Sequence, residues 1–520
     1  MIAGMPASGR HVPFQQGSRL EDEVDWVVVG SGAGGAAAAV VLARAGYSVA
    51  VCESGPWREP RDYPSSSYGA IRDLFDAWGN LFSRGESMIP ILQASCVGGT
   101  TVINSAIVVR TPGDVLAEWA AMGLGEVFHE DSIGTAQDEI EAELEVGPMG
   151  GRQFGRNDTL LLSALASRGR EGKATLRAAR DCCGSGQCLQ GCRAGTKQST
   201  NLNWIPEVLA RGGTVLSSAP VARVAIERGR ATGVEGRFVH PVRHLRRTHR
   251  GATFRVRARR GVLVAASATG SPVLLARSGI RLPALGRFFR GHPGAGIVAI
   301  YPEEVRMDRG TTQGVASLAY RESHRFKVES LTLPLDFLAP RLPGAGRSMA
   351  RWIDRIPNLS MWVAVVRAEA EGTVRPGRRG GIVVRYRPTR GDLERGRRGV
   401  AERARLHFAA GATEILPGIH GLPASLGPDE VGRLEEAPLD NRAWTWVMTH
   451  LFGGCVLGAD PGRSVVGPDL EVRGVRGLSV VDASALPTTL GVNPQHTIMA
   501  VARVVAGRLA NQEVPTPCRA

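Results

Sequence analysis

The sequence predicts an α/β protein in which a Rossmann-like domain is combined with an α+β domain formed by insertions. Three observations lead to this fold class. An apolar strand, a glycine-rich turn and an alanine-rich helix follow one another early in the chain, two further buried-strand signals occur at residues 261–266 and 478–481, and the segments between them are irregular and rich in proline and glycine. A chain of 520 residues with 43% hydrophobic residues can bury more than one core.

The first βαβ unit can be traced along the sequence. Residues 24–29 form an apolar run of strand length, which is followed by the turn Gly30-Ser31-Gly32-Ala33-Gly34-Gly35. The alanine-rich segment up to residue 45 is typical of a helix, and Gly46 is placed to end it. Residues 47–52 predict the next strand, and Glu53 closes it.

The rest of the chain predicts a discontinuous organisation without internal repeats. Short strands such as residues 381–386 and arginine-rich helices such as residues 391–410 alternate with proline- and glycine-rich segments. The simplest division is a cofactor domain formed by residues 20–110, 200–295 and 450–515. Its partner is a substrate-binding domain formed by residues 111–199 and 296–449.

The basic charge of the chain is spread out. The net charge is +14, and lysine occurs only at Lys173, Lys197 and Lys327, so the basic residues are almost all arginine. A nucleic-acid-binding protein more often concentrates its charge in one patch interleaved with aromatic residues. The densest run, residues 243–260, alternates with a period of two and predicts a strand with one solvated basic face. No nucleic-acid partner is therefore expected, and a surface for nucleic acid or an anionic membrane at this segment is the minor alternative.

No segment of the sequence predicts a membrane span or a secretory signal. No apolar run reaches the roughly 20 residues that span a bilayer, and residues 1–19 lack a charged start followed by an apolar core. Eight cysteines in a chain of this length do not make a disulfide scaffold. A cytoplasmic location is expected.

The glycine-rich turn predicts a dinucleotide site because its context is complete. Gly30 permits the tight turn, Gly32 lets a pyrophosphate approach the backbone, and Gly35 allows the helix to pack closely on the strand. The carboxylate of Glu53 can accept hydrogen bonds from both ribose hydroxyls and would repel a 2′-phosphate, which argues against NADP. The motif by itself leaves NAD and FAD open. The phosphates would meet the positive end of the helix, and the predicted cofactor-binding residues of this turn are Gly30, Ser31, Gly32, Ala33 and Gly35.

Later segments of the chain point to FAD. They are Val97-Gly98-Gly99-Thr100-Thr101-Val102-Ile103-Asn104, Ser267-Ala268-Thr269-Gly270-Ser271-Pro272, His450-Leu451-Phe452-Gly453-Gly454-Cys455, Val480-Val481-Asp482-Ala483-Ser484 and Gly491-Val492-Asn493-Pro494. Together with the glycine-rich turn, they resemble the glucose–methanol–choline (GMC) family of FAD-dependent oxidoreductases, in order from residue 24 to about residue 510. Two further segments are similar to bacterial relatives of long-chain alcohol oxidases and cholesterol oxidases, namely Gly195-Thr196-Lys197-Gln198-Ser199 and Gly291-His292-Pro293.

The resemblance implies an FAD site built from distant parts of the chain. In the family, the segment with Gly98 and Gly99 passes the flavin ring, and Asn104 lies near its reactive edge. Some members attach FAD through a histidine one residue before that asparagine. This position is Ile103 here, which implies non-covalent FAD. The remaining positions that the resemblance places at the cofactor are Val221 near the adenine, and Asp482 and Ala483 near the ribityl chain and pyrophosphate.

The last helix is expected to direct its amino terminus at the flavin. Asn493 can cap this helix, and Pro494 suits its first position. An apolar stripe predicts that the helix is packed on one face. Its positive end would stabilise the negative charge that collects on the flavin pyrimidine during reduction. A simple cap of a core helix is the alternative, and both can hold.

His450 and Asn493 are the expected reacting pair. Oxidation of an alcohol by hydride transfer needs a base for the hydroxyl proton and a second group that orients the oxygen. His450 aligns with the catalytic histidine of the family, and an unperturbed imidazole is largely neutral above pH 7. Asn493 aligns with the partner position and cannot titrate. The resemblance therefore implies that His450 alone is the base.

A cysteine cluster leaves a second redox group open. Its four thiols, within a glycine-rich segment, could ligate an iron–sulfur cluster, and their spacing resembles that of bacterial FAD-dependent glucose dehydrogenases. Free thiols or a local disulfide are the alternative, and no metal site is assigned. A cluster would favour a dehydrogenase over an oxygen-using oxidase. The four residues are Cys182, Cys183, Cys188 and Cys192.

The expected function is FAD-dependent oxidation of a primary or secondary alcohol, a small molecule of apolar character such as a long-chain, sterol-like or secondary-metabolite alcohol. The electron acceptor would be oxygen, a quinone or a redox protein. Two alternatives stay open. One is a non-oxidative enzyme, because the family also contains a hydroxynitrile lyase and a light-driven fatty-acid decarboxylase. The other is a flavin-binding partner subunit without turnover.

Overall fold

Two large sheets organise residues 9–511, the part of the chain that this computed structural model describes. The strands are β1 (Arg10–Val12), β2 (Leu20–Val29), β3 (Val49–Cys52), β4 (Ser83–Arg84), β5 (Val146–Pro148), β6 (Lys173–Ala174), β7 (Leu176–Ala178), β8 (Thr214–Leu216), β9 (Val221–Glu227), β10 (Arg230–Val239), β11 (Arg250–Val264), β12 (Arg290–Ile300), β13 (Val315–Ser317), β14 (Phe326–Ser330), β15 (Leu359–Val366), β16 (Thr373–Pro376), β17 (Ile382–Arg385), β18 (Glu414–Leu416), β19 (Val447–Phe452) and β20 (Leu478–Val480).

Helices cover the faces of these sheets and fill the connections. They are α1 (Ala33–Arg44), α2 (Ser67–Asp73), α3 (Gly113–Trp119), α4 (Glu130–Glu143), α5 (Arg156–Ser167), α6 (Trp204–Ala210), α7 (Ser267–Arg277), α8 (Arg321–His324), α9 (Leu335–Leu338), α10 (Arg347–Ile353), α11 (Arg390–Ala409), α12 (Gly432–Glu435) and α13 (Gln495–Ala510).

The first sheet is the predicted Rossmann-like layer. Its strand order is β1-β8-β3-β2-β11-β10-β9, with β20 beside β11. In this order, β1, β8, β3, β2 and β11 pair in parallel with one another, and β20 pairs in parallel with β11. Strand β10 pairs antiparallel with its two neighbours, β11 and β9. Residues 26–29 of β2 are buried, as expected for a parallel strand covered on both faces. The α/β prediction and the first βαβ unit are confirmed.

Two predicted strands are parts of longer ones. The strand expected at residues 24–29 begins at Leu20, and the one expected at residues 261–266 is the end of β11. Of the basic segment before it, residues 243–247 form a short 3-10 helix instead of the expected strand, and residues 250–260 form the first part of β11, in which Phe254 and Val256 are buried while Arg257 is exposed. The pairing of β11 with β2 shifts register between Ala258 and Gly261, and at this point the other neighbour of β11 changes from β10 to β20.

The second sheet is antiparallel and has the order β18-β12-β15-β14-β13-β6, with β19 beside β12. The apolar faces of α5 and α11 pack into its core. The helix expected at residues 391–410 is α11, and it begins after Thr389, whose hydroxyl accepts from the N–H of Asp392. The strand expected at residues 381–386 is β17.

The packing differs in two places from the predicted division into domains. The buried residues Val115, Trp119, Ile133 and Ile140 of α3 and α4 belong to the core of the first sheet, although the sequence assigned them to an insertion. Strand β12 belongs to the second sheet but begins at residue 290, before the predicted boundary at 295. The division into a cofactor domain and a substrate-binding domain remains a prediction. Its boundaries separate residues that pack in the same core or the same strand. Residues 512–515 of the predicted cofactor domain lie outside the described residues.

Within residues 9–511, none of the helices combines the length and the apolar character that crossing a lipid bilayer requires.

Candidate active site

A sharp turn joins β2 to α1 and leaves the first N–H groups of the helix open. Gly30 has a φ of 102°, in the region that favours glycine. Gly32 is the N-cap of α1; no side chain caps the helix, and its first turn contains no acidic residue. The uncapped N–H groups and the helix dipole together suit a pyrophosphate.

The glycines of this turn separate into those that the fold needs and one that leaves room for a ligand. A Cβ on Gly34 would lie 1.8 Å from the carbonyl oxygen of Val481, and one on Gly35 would lie 2.0 Å from that of Gly30. The nearest atom to a Cβ on Gly32 is Cα of Gly99, at 3.9 Å. A methyl group on Gly32 would therefore extend into open space rather than clash with the protein.

Replacing Gly32 by alanine is expected to weaken FAD binding without unfolding the protein. The methyl group would occupy space beside the helix N-terminus, and overpacking of this kind costs about 1–3 kcal/mol. Titration of the apoprotein with FAD, followed by flavin fluorescence, measures the affinity. Thermal unfolding of the apoprotein should be unchanged. Gly134→Ala is the matched control, because its Cβ would have no neighbour within 4 Å. Normal FAD affinity in Gly32→Ala would contradict the assignment.

Glu53 follows β3 and is buried beside the turn. One carboxylate oxygen accepts from Ser31 N (3.0 Å) and Ser31 Oγ (2.8 Å). The other accepts from Ser54 Oγ (3.0 Å) and Gly55 N (2.9 Å). Burial raises the pKa of Glu53, and these hydrogen bonds oppose that shift. Both serine hydroxyls thus donate to the carboxylate that the sequence analysis expects to bind the ribose, and Ser54 is a neighbour of Glu53 that the sequence analysis did not name.

The segment with Gly98 and Gly99 lies against the same turn. Gly98 N donates to Ser31 Oγ at 2.9 Å. Both glycines have positive φ, 96° and 53°, and a Cβ on Gly99 would lie 2.8 Å from Cα of Gly32. Two glycine-rich segments 67 residues apart in the sequence thus form one surface.

Asn104, at the end of this segment, lies beside the last helix. Its amide nitrogen donates to Oε1 of Gln495, the first residue of α13. The ammonium of buried Lys197 donates to the carbonyl oxygens of Val102, Asn104 (2.8 Å) and Cys188 (2.9 Å). Lys197 therefore fixes the backbone that carries Asn104.

The other predicted cofactor residues lie around this surface. Asp482 is buried and accepts from Ser267 N at the start of α7 and from Ser484 N, each at 2.8 Å. The carbonyl of Ala483 accepts from Gly453 N at 3.0 Å, which ties it to the strand carrying His450. Val221 begins β9, two residues after Ala219, whose N–H donates to the carbonyl of Glu53 at 2.7 Å. It therefore lies near the Glu53 end of the site.

Asn493 does not cap α13, which corrects the sequence-based expectation. Pro494 is the N-cap rather than the first helical residue, the helix begins at Gln495, and no side chain caps it. Instead, Oδ1 of Asn493 accepts from the ammonium of Lys327. A charged donor binds an amide oxygen more strongly than a backbone N–H does, and it leaves the amino terminus of α13 open.

His450 lies in β19 with Asn493 on one side and His292 on the other. Nδ2 of Asn493 is 3.4 Å from Nε2 of His450, and Nδ1 of His292 is 3.3 Å from Nδ1 of His450. Burial and the charge of Lys327 lower the pKa of His450 to about 3, so the imidazole is neutral throughout the physiological range. The two predicted reacting residues are in contact, and His292 lies in β12 opposite His450.

A buried ion pair behind Asn493 escaped the sequence analysis. Lys327 and Glu329 are each 1% exposed, and Lys327 Nζ donates to Glu329 Oε1 at 2.6 Å. Burial lowers the pKa of Lys327, and Glu329 opposes that shift. The rarity of lysine was a signal in the sequence. The arginine-rich chain has three lysines, and two of them, Lys197 and Lys327, are buried at this site. An ammonium is compact and can donate three hydrogen bonds from one point, which a guanidinium cannot.

The cysteine cluster lies beside the Asn104 segment. Cys182, Cys188 and Cys192 are buried and Cys183 is exposed, and all are free thiols. Although buried, the Cys188 thiol has a pKa lowered to about 7 by Arg177 and Lys197, and its sulfur accepts from Arg177 at 3.1 Å. In residues 9–511, no three or more His, Cys, Asp or Glu side chains are grouped so as to hold a metal ion.

The chain matches the sequence profile described as GMC oxidoreductase over residues 24–294 in its amino-terminal part and 369–502 in its carboxy-terminal part. It is 36% identical over 486 residues to an uncharacterised GMC-type oxidoreductase of Mycobacterium tuberculosis, covering 93% of this chain and 75% of the relative. It is 28% identical over 525 residues to a long-chain-alcohol oxidase of Arabidopsis thaliana, covering 94% of this chain and 69% of that protein.

Solved structures share the fold. A formate oxidase variant of Aspergillus oryzae, studied for its FAD modification, superposes with a TM-score of 0.72 at 16% identity, covering 94% of this chain and 98% of the other. Pyridoxine 4-oxidase from Mesorbium loti superposes with a TM-score of 0.69 at 17% identity, covering 94% of this chain and 100% of the other.

Proposed function

The chain belongs to the GMC oxidoreductase family of flavoproteins that act on CH–OH groups, and from this premise we propose that it binds FAD non-covalently and oxidises an apolar primary or secondary alcohol to a carbonyl compound. The proposal of an apolar, long-chain type of substrate is supported by the similarity to long-chain-alcohol oxidases. Oxygen, a quinone or a redox protein would reoxidise the cofactor. A cytoplasmic location remains a prediction from the sequence.

The chemistry of the predicted residues fits FAD. The open N-terminus of α1 and the glycine surface would hold the pyrophosphate, Glu53 the adenosine ribose, and the open N-terminus of α13 the electron-rich end of the flavin. Ile103 is buried and has no nucleophilic atom, which supports non-covalent binding. The full set proposed for FAD is Gly30, Ser31, Gly32, Ala33, Gly35, Glu53, Gly98, Gly99, Asn104, Val221, Asp482, Ala483, Asn493 and Pro494.

The contact between His450 and Asn493 at the start of α13 is the observation that carries the proposed reaction. When bound, FAD supplies the acceptor for the hydride from the alcohol carbon. His450 accepts the hydroxyl proton at Nε2, and Nδ2 of Asn493 donates a hydrogen bond to the substrate oxygen. Burial favours the neutral state of His450, which has one unprotonated ring nitrogen, and Nε2 can accept the substrate proton when the ring's own proton is on Nδ1.

Anaerobic mixing of the FAD-loaded protein with a series of alcohols tests this function. Loss of the oxidised flavin absorbance is expected, with faster reduction by longer-chain primary alcohols than by ethanol. A lyase would leave the flavin oxidised under the same conditions. Admission of air to the reduced protein then distinguishes an oxidase, which regains the oxidised spectrum, from a dehydrogenase. A flavin that no alcohol in the series reduces would contradict the proposal.

A further inference from the structure

Two histidines face each other across neighbouring strands at the proposed site. His292 in β12 and His450 in β19 are paired in register, and their Nδ1 atoms are 3.3 Å apart with the ring planes at 84°. His292 is 1% exposed. Burial keeps the pKa of His292 well below its usual value, and the charged or titratable groups that act on it, His450, Lys327, Arg367 and Arg321, lower it further. Both imidazoles are therefore neutral.

Donors approach this pair from both ends. The backbone N–H of Gly491 donates to Nε2 of His292 at 3.0 Å. At the other end, Asn493 must present its NH₂ group to Nε2 of His450, because its oxygen accepts from the Lys327 ammonium, which can only donate.

The three hydrogen bonds that link Gly491, His292, His450 and Asn493 cannot all form at once. Two neutral imidazoles carry two ring protons on four nitrogens. If both Nε2 atoms accept, both protons lie on the Nδ1 atoms, which would face each other as two donors. One contact must be given up, and the longest is Asn493 to His450 at 3.4 Å. In that arrangement, His292 donates from Nδ1 and His450 carries its proton on Nε2.

We propose that His292 is a positioning residue whose Nδ1 determines which ring nitrogen of His450 carries the proton. This inference rests on the proposed function, because His450 can accept a substrate proton at Nε2 only when its own proton is on Nδ1. His292 must then accept at Nδ1 and carry its proton on Nε2, which breaks the hydrogen bond from Gly491. In the reaction, the substrate O–H bond breaks and its proton binds Nε2 of His450. The C–H electron pair leaves with the hydride.

His292→Asp and His292→Asn form a matched pair for testing the proposal. An aspartate oxygen takes the place of Nδ1 and can only accept, so it holds the His450 proton on Nδ1 and leaves Nε2 free. The asparagine amide has the same size and can donate to Nδ1. Flavin reduction by the best alcohol substrate should therefore be at least about tenfold faster in the Asp variant than in the Asn variant, since general base catalysis is worth 10²–10⁴-fold.

A spectroscopic measurement on the FAD-loaded protein, labelled with ¹⁵N in its histidine rings, is independent of turnover. The His450 signals are identified by their loss in His450→Gln. Nε2 of His450 should appear as a protonated nitrogen in the unmodified protein and as an unprotonated nitrogen in His292→Asp.

Three results would overturn the proposal. They are an unprotonated Nε2 in the unmodified protein, unchanged ring-nitrogen signals in His292→Asp, and equal reduction rates in the two variants. The first depends on neither His292 variant and uses His450→Gln only to identify the signals. Failure of alcohols to reduce the unmodified protein would instead overturn the proposed function and leave the spectral assignment standing.

Discussion

Replacing His450 by glutamine is expected to lower the rate constant for flavin reduction by an alcohol about 10²- to 10⁴-fold, the usual contribution of a general base. Glutamine keeps the polarity of the side chain but cannot take up a proton. FAD should stay bound, because the glycine surface and Glu53 do not involve His450. Stopped-flow absorbance under anaerobic conditions measures the rate constant, and the flavin content of the purified variant measures binding.

A surface histidine provides the control. His420 is exposed, so His420→Gln should reduce its flavin at the normal rate. In the unmodified protein the lowered pKa of His450, about 3, predicts that its protonation does not slow reduction between pH 5 and 9. A rate within tenfold of normal in His450→Gln would show that another group accepts the proton.

Replacing Lys327 by methionine is expected to lower the free energy of unfolding by about 3–5 kcal/mol. The substitution leaves the Glu329 carboxylate buried without its cation, and both side chains are 1% exposed. It also removes the donor that orients Asn493, so flavin reduction should slow by about 10²-fold or more, as when one donor to the reacting oxygen is lost. Urea unfolding of the FAD-loaded variant measures the first effect, and stopped-flow reduction the second.

A double variant separates the two roles of Lys327. Lys327→Met combined with Glu329→Gln removes both charges and keeps an oxygen for the hydrogen bond from Gln313. Most of the lost stability should return, whereas flavin reduction should stay slow because Asn493 still lacks its donor. Recovery of both properties would mean that Lys327 serves the ion pair alone and does not position Asn493.

The parts of the fold that the sequence predicted are those with short-range signals. The first βαβ unit is contiguous, and its strand, turn and helix can each be seen in a few neighbouring residues. The second sheet has no such signal. Residues 290–300 contain three glycines and a proline and still form the strand β12, because β15 and β19 pair with them from 59 to 162 residues away.

The candidate site shows the same limit. The resemblance indicated His450 and Asn493, and the structure brings them together, but the expected cap by Asn493 was wrong. Its amide is held by Lys327, 166 residues earlier in the chain, and no local pattern reports that contact. His292, Lys327 and Glu329 lie on β12 and β14, so their relation to His450 follows from sheet pairing that the sequence did not reveal.

Because the carbonyl of Val481 lies against Gly34, the glycine-rich turn can be completed only after residue 481 has been synthesised. The glycine-rich turn emerges from the ribosome early, but the backbone that closes over it is translated 447 residues later. At about 5–20 residues per second, this interval is roughly 20–90 s. Throughout that time the amino-terminal half has an incomplete core. Ribosome-bound chains are therefore expected to need chaperones until the final helix is released.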